Sequence, residues 1–378
     1  MKLKLLSLLL LVFFFFGAAY PQTEDFFPQE NLVSSAGSAY VFDALSGRVF
    51  YEKNAEVSRA MASTTKIATA ITAIEHCADL DEKFEINPKA VGIEGSSIYL
   101  RAGERLSVRD LLYGLMLRSG NDAACALAYR IGGSIEGFCE LMNGLCEKLK
   151  LSHTHFANPH GLDNKEHYTS AKDLAIISGY ALSNPVFKEI VSTKNIKIMG
   201  DGGEYRYLTN KNRLLSSLEN CIGVKTGYTK KAGRCLVSAV EKNGMRLVCV
   251  VLNCGPMFEE SAEMLNYICE KFQKVELLAP WQYIDDIPLN NGDTDYIQAF
   301  SKLGFSFPLS EEECGNIHIS IDIPKALSAP VQNEIEIGKV EIYFKNHLIF
   351  CEKIYTLREV DSKLLRDKVK EIIDRWGV

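Results

Sequence analysis

The pattern of apolar and polar positions divides the chain into five stretches. In SAYVFDALSGRVFYEKN, residues 38–54, alternating apolar positions flank Asp43-Ala44-Leu45-Ser46-Gly47 and predict a β-hairpin. From Ser63 to about Val191 the spacing becomes helical, in SVRDLLYGLMLRSG, NDAACALAYRIG, SIEGFCELMNGLCEKLKL and SAKDLAIISGYAL. CIGVKTGYT and GRCLVSAVEKNGMRLVCVVLNC then read as strands. Within the second, Lys242-Asn243-Gly244 between two apolar runs marks a hairpin, and a helix follows from about Phe258 to Phe272. Strands at both ends with helices between them predict an α+β unit, one antiparallel sheet carrying an inserted helical lobe, over residues 20–280.

After LLAPW, Leu277 to Trp281, the pattern changes to short strand-like pieces separated by polar turns, which predicts a small all-β domain over 281–358. Residues 359–378 return to helical periodicity. There Leu365, Val369, Ile372, Ile373 and Trp376 fall on one side, with a tryptophan suited to a headgroup boundary. Six Lys or Arg stand against five Asp or Glu from Arg358 to Val378, so apolar burial has to supply most of any membrane binding. Such a helix is expected to hold the chain peripherally at the outer face of the membrane; the alternative is that it packs back onto the β domain.

One helix stands out from the rest. MASTTKIATAITAIEHC, Met61 to Cys77, has almost no polar face, which predicts a helix buried in the middle of its domain. Yet its first turn carries Ser63 and Lys66, and a lysine entering a core has to lose its charge or find partners.

Composition then limits what surrounds this helix. With 378 residues, 47% of them hydrophobic, the chain can bury a full core. Lys2 and Lys4 precede an apolar run from Leu5 to Phe16 and the small residues Gly17-Ala18-Ala19, the pattern of a signal peptide over 1–19. Losing those two lysines takes the formal net charge from −6 to −8, and an acidic exported protein is a poor partner for nucleic acid. The eleven cysteines sit mostly in apolar runs; they are read as buried thiols in preference to structural disulfides, and no Cys-x-x-Cys pair supports a metal site.

Ser63 and Lys66, three apart, lie on one helix face about 5–6 Å apart at Cβ. A serine hydroxyl attacks only when a base takes its proton, and a desolvated lysine can serve as that base. The helix N-terminus adds free N–H groups suited to a developing oxyanion. Ser-x-x-Lys also arises by chance about once in a chain of this length, with Ser63 a plain N-cap and Lys66 a surface lysine. Two further tripeptides change the weight: Ser119-Gly120-Asn121 on a turn between helices, and Lys225-Thr226-Gly227 ending a strand.

A serine–lysine helix, a polar turn from a helical lobe and Lys-Thr-Gly on a sheet edge are the three motifs of the penicillin-binding and serine β-lactamase class. ASTTKIATA, SGNDAA, HFANPHGL, YTSAKDLA and GVKTGYTKKAG together resemble the D-alanyl-D-alanine carboxypeptidases among the low-molecular-mass penicillin-binding proteins. The resemblance spans about Ser38 to Phe272 and extends more weakly over the β-rich remainder. It implies a β-lactamase/transpeptidase-like catalytic fold and removal of the terminal D-alanine from peptidoglycan stem pentapeptides outside the membrane, with no cofactor and with β-lactams as covalent inhibitors.

Carried onto this chain, the resemblance makes Ser63 the acylated nucleophile and Lys66 its base. Ser119 and Asn121 complete the proton path and hold the substrate amide; Lys225 and Thr226 meet the terminal carboxylate; Gly227 admits the substrate closely. The N–H groups of Ser63 and Tyr228 form the oxyanion hole. One departure is evident: some relatives carry an arginine on the helix after the last strand, where this chain reads GPMFEESAEML. His160 and Asp173 match the family but are read as loop-structuring and helix-starting residues.

Three rival functions are set against this one. A class A β-lactamase has Ser-Asp-Asn where Gly120 stands here, and Glu166 in NKEHYTSA lacks the context of its deacylating glutamate. A transpeptidase passes the same acyl-enzyme to an amine. A non-catalytic wall-binding protein would typically have lost one of the motifs.

Overall fold

The computed structural model describes residue 32, residues 34–363 and residues 369 and 373. The signal peptide expected over 1–19 lies outside the described residues, as does the C-terminal helix beyond 363 apart from Val369 and Ile373, both helical and half exposed.

In chain order the first unit comprises β1 (Ser38–Asp43), β2 (Val49–Lys53), α1 (Lys66–Glu75), β3 (Lys83–Glu85), β4 (Arg105–Ser107), α2 (Val108–Leu117), α3 (Asn121–Gly132) and α4 (Ile135–Lys148). It continues with α5 (Ala171–Leu182), α6 (Pro185–Ser192), β5 (Asn195–Met199), β6 (Tyr205–Thr209), α7 (Leu214–Ser217), β7 (Cys221–Thr229), β8 (Gly233–Lys242), β9 (Met245–Leu252) and α8 (Met257–Lys271).

Five strands form one antiparallel sheet in the order β2-β1-β9-β8-β7, so β7 is an edge strand. The β1–β2 hairpin turns on Asp43, whose carboxylate accepts from the Ser46 N–H and hydroxyl. The β8–β9 hairpin turns on Asn243 and Gly244, both with positive φ (53° and 77°), as a two-residue turn of this hand requires. Both faces of the sheet are covered, which is why its strands read as nearly continuous apolar runs. Val41, Leu236 and Val251 pack towards α8, while Phe42, Val237 and Val250 pack towards the helical lobe. Helix α1 runs through the centre of that lobe with Lys66 to Ile74 all buried, as its lack of a polar face predicted.

The β-rich unit comprises β10 (Gln273–Leu278), β11 (Gln282–Asn290), β12 (Tyr296–Ser301), β13 (Phe305–Leu309), β14 (Ile317–Asp322), β15 (Leu327–Ser328), β16 (Glu336–Phe344) and β17 (His347–Thr356). A pair β10-β13 accompanies a six-stranded sheet ordered β14-β16-β17-β12-β11-β15.

Both ends of this unit differ from the sequence reading. β10 pairs with β13 and buries Leu278 in the β-rich core, whereas Phe272 packs against Phe50 of the first unit. The change of unit therefore falls at the end of α8, and the composition shift near Trp281 marks only the end of a strand. Residues 359–363 also belong to the β-rich unit. Val360 is buried there and exchanges backbone hydrogen bonds with Val331 (2.8 and 2.9 Å), and the Lys363 N–H donates to Asn291 O.

Arg48 ties the two units together. It is fully buried, its guanidinium donates to both Glu313 carboxylate oxygens (2.8 and 2.7 Å) and to Pro308 O, and it lies 4.9–5.3 Å from the rings of Phe50, Phe272, Phe307 and Phe344. A planar delocalised cation suits this box of aromatic faces. All eleven cysteines are free thiols and seven are buried, packing as small hydrophobes. Among the described residues no helix is long and apolar enough to cross a membrane, and no group of acidic, Cys or His side chains could hold a metal ion.

Candidate active site

Ser63 lies in a 3₁₀ segment, Ala62–Thr65, leading directly into α1. Ser63 does not cap the helix; its Oγ instead lies 3.0 Å from Lys66 Nζ. Lys66 is fully buried, and its nitrogen also reaches Asn121 Oδ1 at 2.8 Å and the His160 carbonyl. Burial, and then the neighbouring Lys225, hold its pKa well below the ordinary lysine value. The two oxygens of Asn121 and His160 can only accept. A neutral amine has two N–H groups and one lone pair; those acceptors take both N–H groups and leave the lone pair facing Ser63, the one partner able to donate. In the neutral form, then, Lys66 would turn its lone pair to the Ser63 hydroxyl.

Ser119 and Asn121 sit where α2 gives way to α3. Ser119 has φ of 65°, is buried, and its hydroxyl has no hydrogen-bond partner among the described residues. The Asn121 side-chain NH₂ donates to Glu94 O, which turns Oδ1 towards Lys66, and the Asn121 backbone N–H donates to Ser96 O at 2.7 Å. Gly120 between them has a steric cause: a Cβ there would lie 2.8 Å from Asp122 Oδ1 and 3.3 Å from the Ala123 methyl. Asp122 in turn accepts from the Ile98 and Leu100 N–H groups and the Ser97 hydroxyl, pinning the loop that supplies Ser96.

Edge strand β7 carries the third motif. Lys225 is buried, and burial followed by repulsion from Lys211 lowers its pKa to about 7. Among the described residues its Nζ has one acceptor, Thr226 O at 2.9 Å, leaving donors for an incoming anion. Thr226 is half-buried and Tyr228 is 65% exposed. Gly227 lies against the turn that carries Ser63: a Cβ there would stand 3.0 Å from Ser63 N, 3.1 Å from Met61 O and 3.1 Å from Thr64 N.

The structure thus brings Ser63, Lys66 and Asn121 into one hydrogen-bonded set, with Gly227 packed beside it. His160 contributes through its backbone carbonyl, a role no residue type announces. Its side-chain Nδ1 accepts from the Leu162 N–H, and burial, then Lys66, lowers its pKa to about 4. Glu166 is exposed, and Asp173 follows the N-cap Ser170 while accepting from His153 N and Thr154 Oγ1. At the start of α8, where an arginine stands in some relatives, Glu260 binds Ser34 and Ser35. A cavity of about 390 Å³ between the Asp43–Ser46 turn and β10–β13 touches none of these groups.

A family model described as D-alanyl-D-alanine carboxypeptidase matches residues 26–255. The chain belongs to the D-alanyl-D-alanine carboxypeptidase family. In keeping with this, a model of the penicillin-binding protein 5 C-terminal domain matches residues 272–362. The carboxypeptidase DacF of Bacillus subtilis is 31% identical over 320 residues, covering 82% of this chain and 81% of its own. Among solved structures, penicillin-binding protein 5 of Haemophilus influenzae superposes with a TM-score of 0.75 at 26% identity, covering 89% of this chain and all of that one. The Streptomyces K15 DD-transpeptidase superposes at 0.60 and 33% identity over 62% of this chain and 97% of its own. The two-unit architecture is thus that of the carboxypeptidase family, and the α+β, transpeptidase-like expectation holds.

Proposed function

We propose that this carboxypeptidase-family chain cleaves the terminal D-Ala-D-Ala bond of peptidoglycan stem pentapeptides through an acyl-enzyme on Ser63. Neutral Lys66 takes the Ser63 proton as Oγ attacks the carbonyl carbon of the penultimate D-alanine. The oxyanion is held by the Ser63 and Tyr228 N–H groups, and Lys225 and Thr226 receive the terminal carboxylate. Collapse breaks the C–N bond; the proton passes through Lys66 and Ser119 to the leaving amine of D-alanine. Water then hydrolyses the Ser63 ester by the same proton path in reverse. An extended peptide beside edge strand β7 gains main-chain hydrogen bonds as an added strand.

The observation that carries this reading is Lys66 Nζ, 3.0 Å from Ser63 Oγ with acceptors at its other two positions. β-Lactams, which place a strained amide beside a carboxylate, acylate Ser63 in the same pose. Export by the 1–19 segment puts the enzyme beside its substrate, and the segment beyond 363 holds it peripherally at the membrane. Mass spectrometry of the mature protein after penicillin, and separately after a pentapeptide ending in D-Ala-D-Ala, tests the reading. The expected result is one penicilloyl adduct on Ser63 and release of one D-alanine per peptide.

A second reading, transfer of the acyl group to an amine, is favoured by the likeness to the K15 DD-transpeptidase. Adding an acceptor peptide and looking for cross-linked product separates the two.

A further inference from the structure

The direction of the Ser63 N–H is set by a buried polar relay that the reaction scheme above does not use. Ala62, just before the nucleophile, has φ of 48°, a left-handed conformation that a non-glycine residue holds only when its surroundings fix it. Its carbonyl oxygen accepts from the Thr65 hydroxyl at 2.8 Å. Thr65 Oγ1 in turn lies 2.7 Å from His167 Nε2, and His167 Nδ1 accepts from the Ala157 N–H at 3.1 Å.

These contacts permit only one arrangement of protons. An imidazole nitrogen accepting from an N–H carries no hydrogen, so the proton of neutral His167 is on Nε2 and is donated to Thr65. With that lone pair engaged, the single Thr65 proton goes to Ala62 O. His167 and Thr65 are both buried, and burial, then His160, lowers the His167 pKa to about 3, which keeps the ring neutral. Gly161 closes the other side: a Cβ there would fall 2.0 Å from Ala62 O and 2.9 Å from Thr65 Oγ1.

A trans peptide is planar, so fixing the Ala62 carbonyl fixes the Ser63 N–H on the opposite side. That N–H has no partner among the described residues, and Gly227 lies beside it. We propose that His167 and Thr65 are positioning residues which, through the Ala62 carbonyl, aim the Ser63 N–H at the oxyanion of the reaction. The proposal rests on Ser63 being the nucleophile.

The test compares wild type with Thr65→Val, Thr65→Ser, His167→Leu and His167→Gln. The readouts are the rate of acylation by a fluorescent penicillin, the non-covalent Kd from the same titration, and the affinity of a peptidyl boronic acid, whose tetrahedral adduct places an oxygen in the oxyanion site. Loss of a donor in an oxyanion hole costs roughly 10²–10³-fold. A misaimed donor in Thr65→Val and His167→Leu is therefore expected to slow acylation about 30- to 300-fold and weaken the boronate by a similar factor. Kd should stay within about threefold and the pH midpoint of acylation should not move, because Lys66 is untouched. Thr65→Ser, which keeps the hydroxyl, and His167→Gln, which keeps a donor, restore most of the rate. Circular dichroism shows which variants fold; if Thr65→Val does not, His167→Leu and Thr65→Ser decide. Wild-type acylation and boronate affinity in the folded apolar variants, or a loss carried by Kd or a moved pH midpoint, would overturn the relay. A wild-type enzyme that penicillin does not label on Ser63 would instead overturn the function proposed above.

Discussion

Gly227 lies hard against the backbone of Ser63: a Cβ on the glycine would come within 3.0 Å of the Ser63 nitrogen. The edge strand β7 and the turn that carries Ser63 therefore share one wall, and under the proposed reaction a substrate laid along β7 would arrive beside Ser63. The first prediction follows. Gly227→Ala pushes on Ser63 N, Met61 O and Thr64 N, all backbone atoms that move only together. Acylation is expected to fall about 10- to 100-fold, the usual effect of displacing reacting groups by part of an ångström. Stopped-flow penicillin acylation and a thermal melt check it: a normal rate would mean that strand and turn yield freely.

Ser63→Ala is expected to abolish both penicillin labelling and D-alanine release, because no other serine in the chain has a lysine three residues on. Lys66→Arg keeps the charge but cannot give up its proton in a protein, so acylation should drop by about 10²–10⁴-fold. Intact-mass analysis after penicillin reads both; a label on the alanine variant at any residue would refute the assignment.

Thr226→Val removes a hydroxyl at nearly constant volume. If that hydroxyl binds the terminal carboxylate, peptides with a free C-terminus should lose about 10- to 100-fold in kcat/KM, the range for a hydrogen bond to a charged group. Peptides amidated at the C-terminus should lose under about threefold. Steady-state kinetics on the matched pair decides, and equal losses would remove Thr226 from carboxylate recognition.

Two lysines with depressed pKa values shape the pH profile in opposite ways. Lys66 acts only when neutral, so acylation should fall as pH drops through its lowered pKa. Lys225 binds an anion only when charged, so KM for free-carboxylate peptides should rise as pH climbs above about 7. Stability carries the same signature. Between the folded pKa near 7 and the unfolded lysine value the unfolded chain holds more protons, so Lys225 makes the protein more stable as pH rises through that window. Lys225→Met should flatten that slope in melts from pH 7 to 10, and an unchanged slope would count against a depressed lysine.

Truncation after Lys363 is expected to move active enzyme from membranes to the soluble fraction with its melting temperature nearly unchanged. Deleting from Glu359 instead removes Val360 from the β-rich core, which costs about 1.5–3 kcal/mol of burial and lowers the melting temperature by several degrees. Membrane flotation and calorimetry on the two truncations test this. A shorter chain that still floats with membranes would exclude the anchor.

The sequence by itself determined what local periodicity and residue chemistry can carry. Alternation and the Asn243-Gly244 turn marked the sheet's hairpins, the missing polar face marked α1 as buried, and Ser63, Lys66, Asn121 and Lys225 declared themselves by motif. These signals are legible because each depends on neighbours within a turn or a strand. Other features belong to the tertiary structure, because they depend on groups brought together from distant parts of the chain. The His160 carbonyl on Lys66, the amide of Asn121 turned by Glu94 O, and the His167–Thr65–Ala62 relay use backbone atoms or generic hydroxyls that carry no sequence signature. The unit boundaries shifted for the same reason: strand pairing and burial assign Leu278 and Val360 to the β-rich core. Composition along the chain records the turns between strands, but which core a strand joins is decided by the partner it meets.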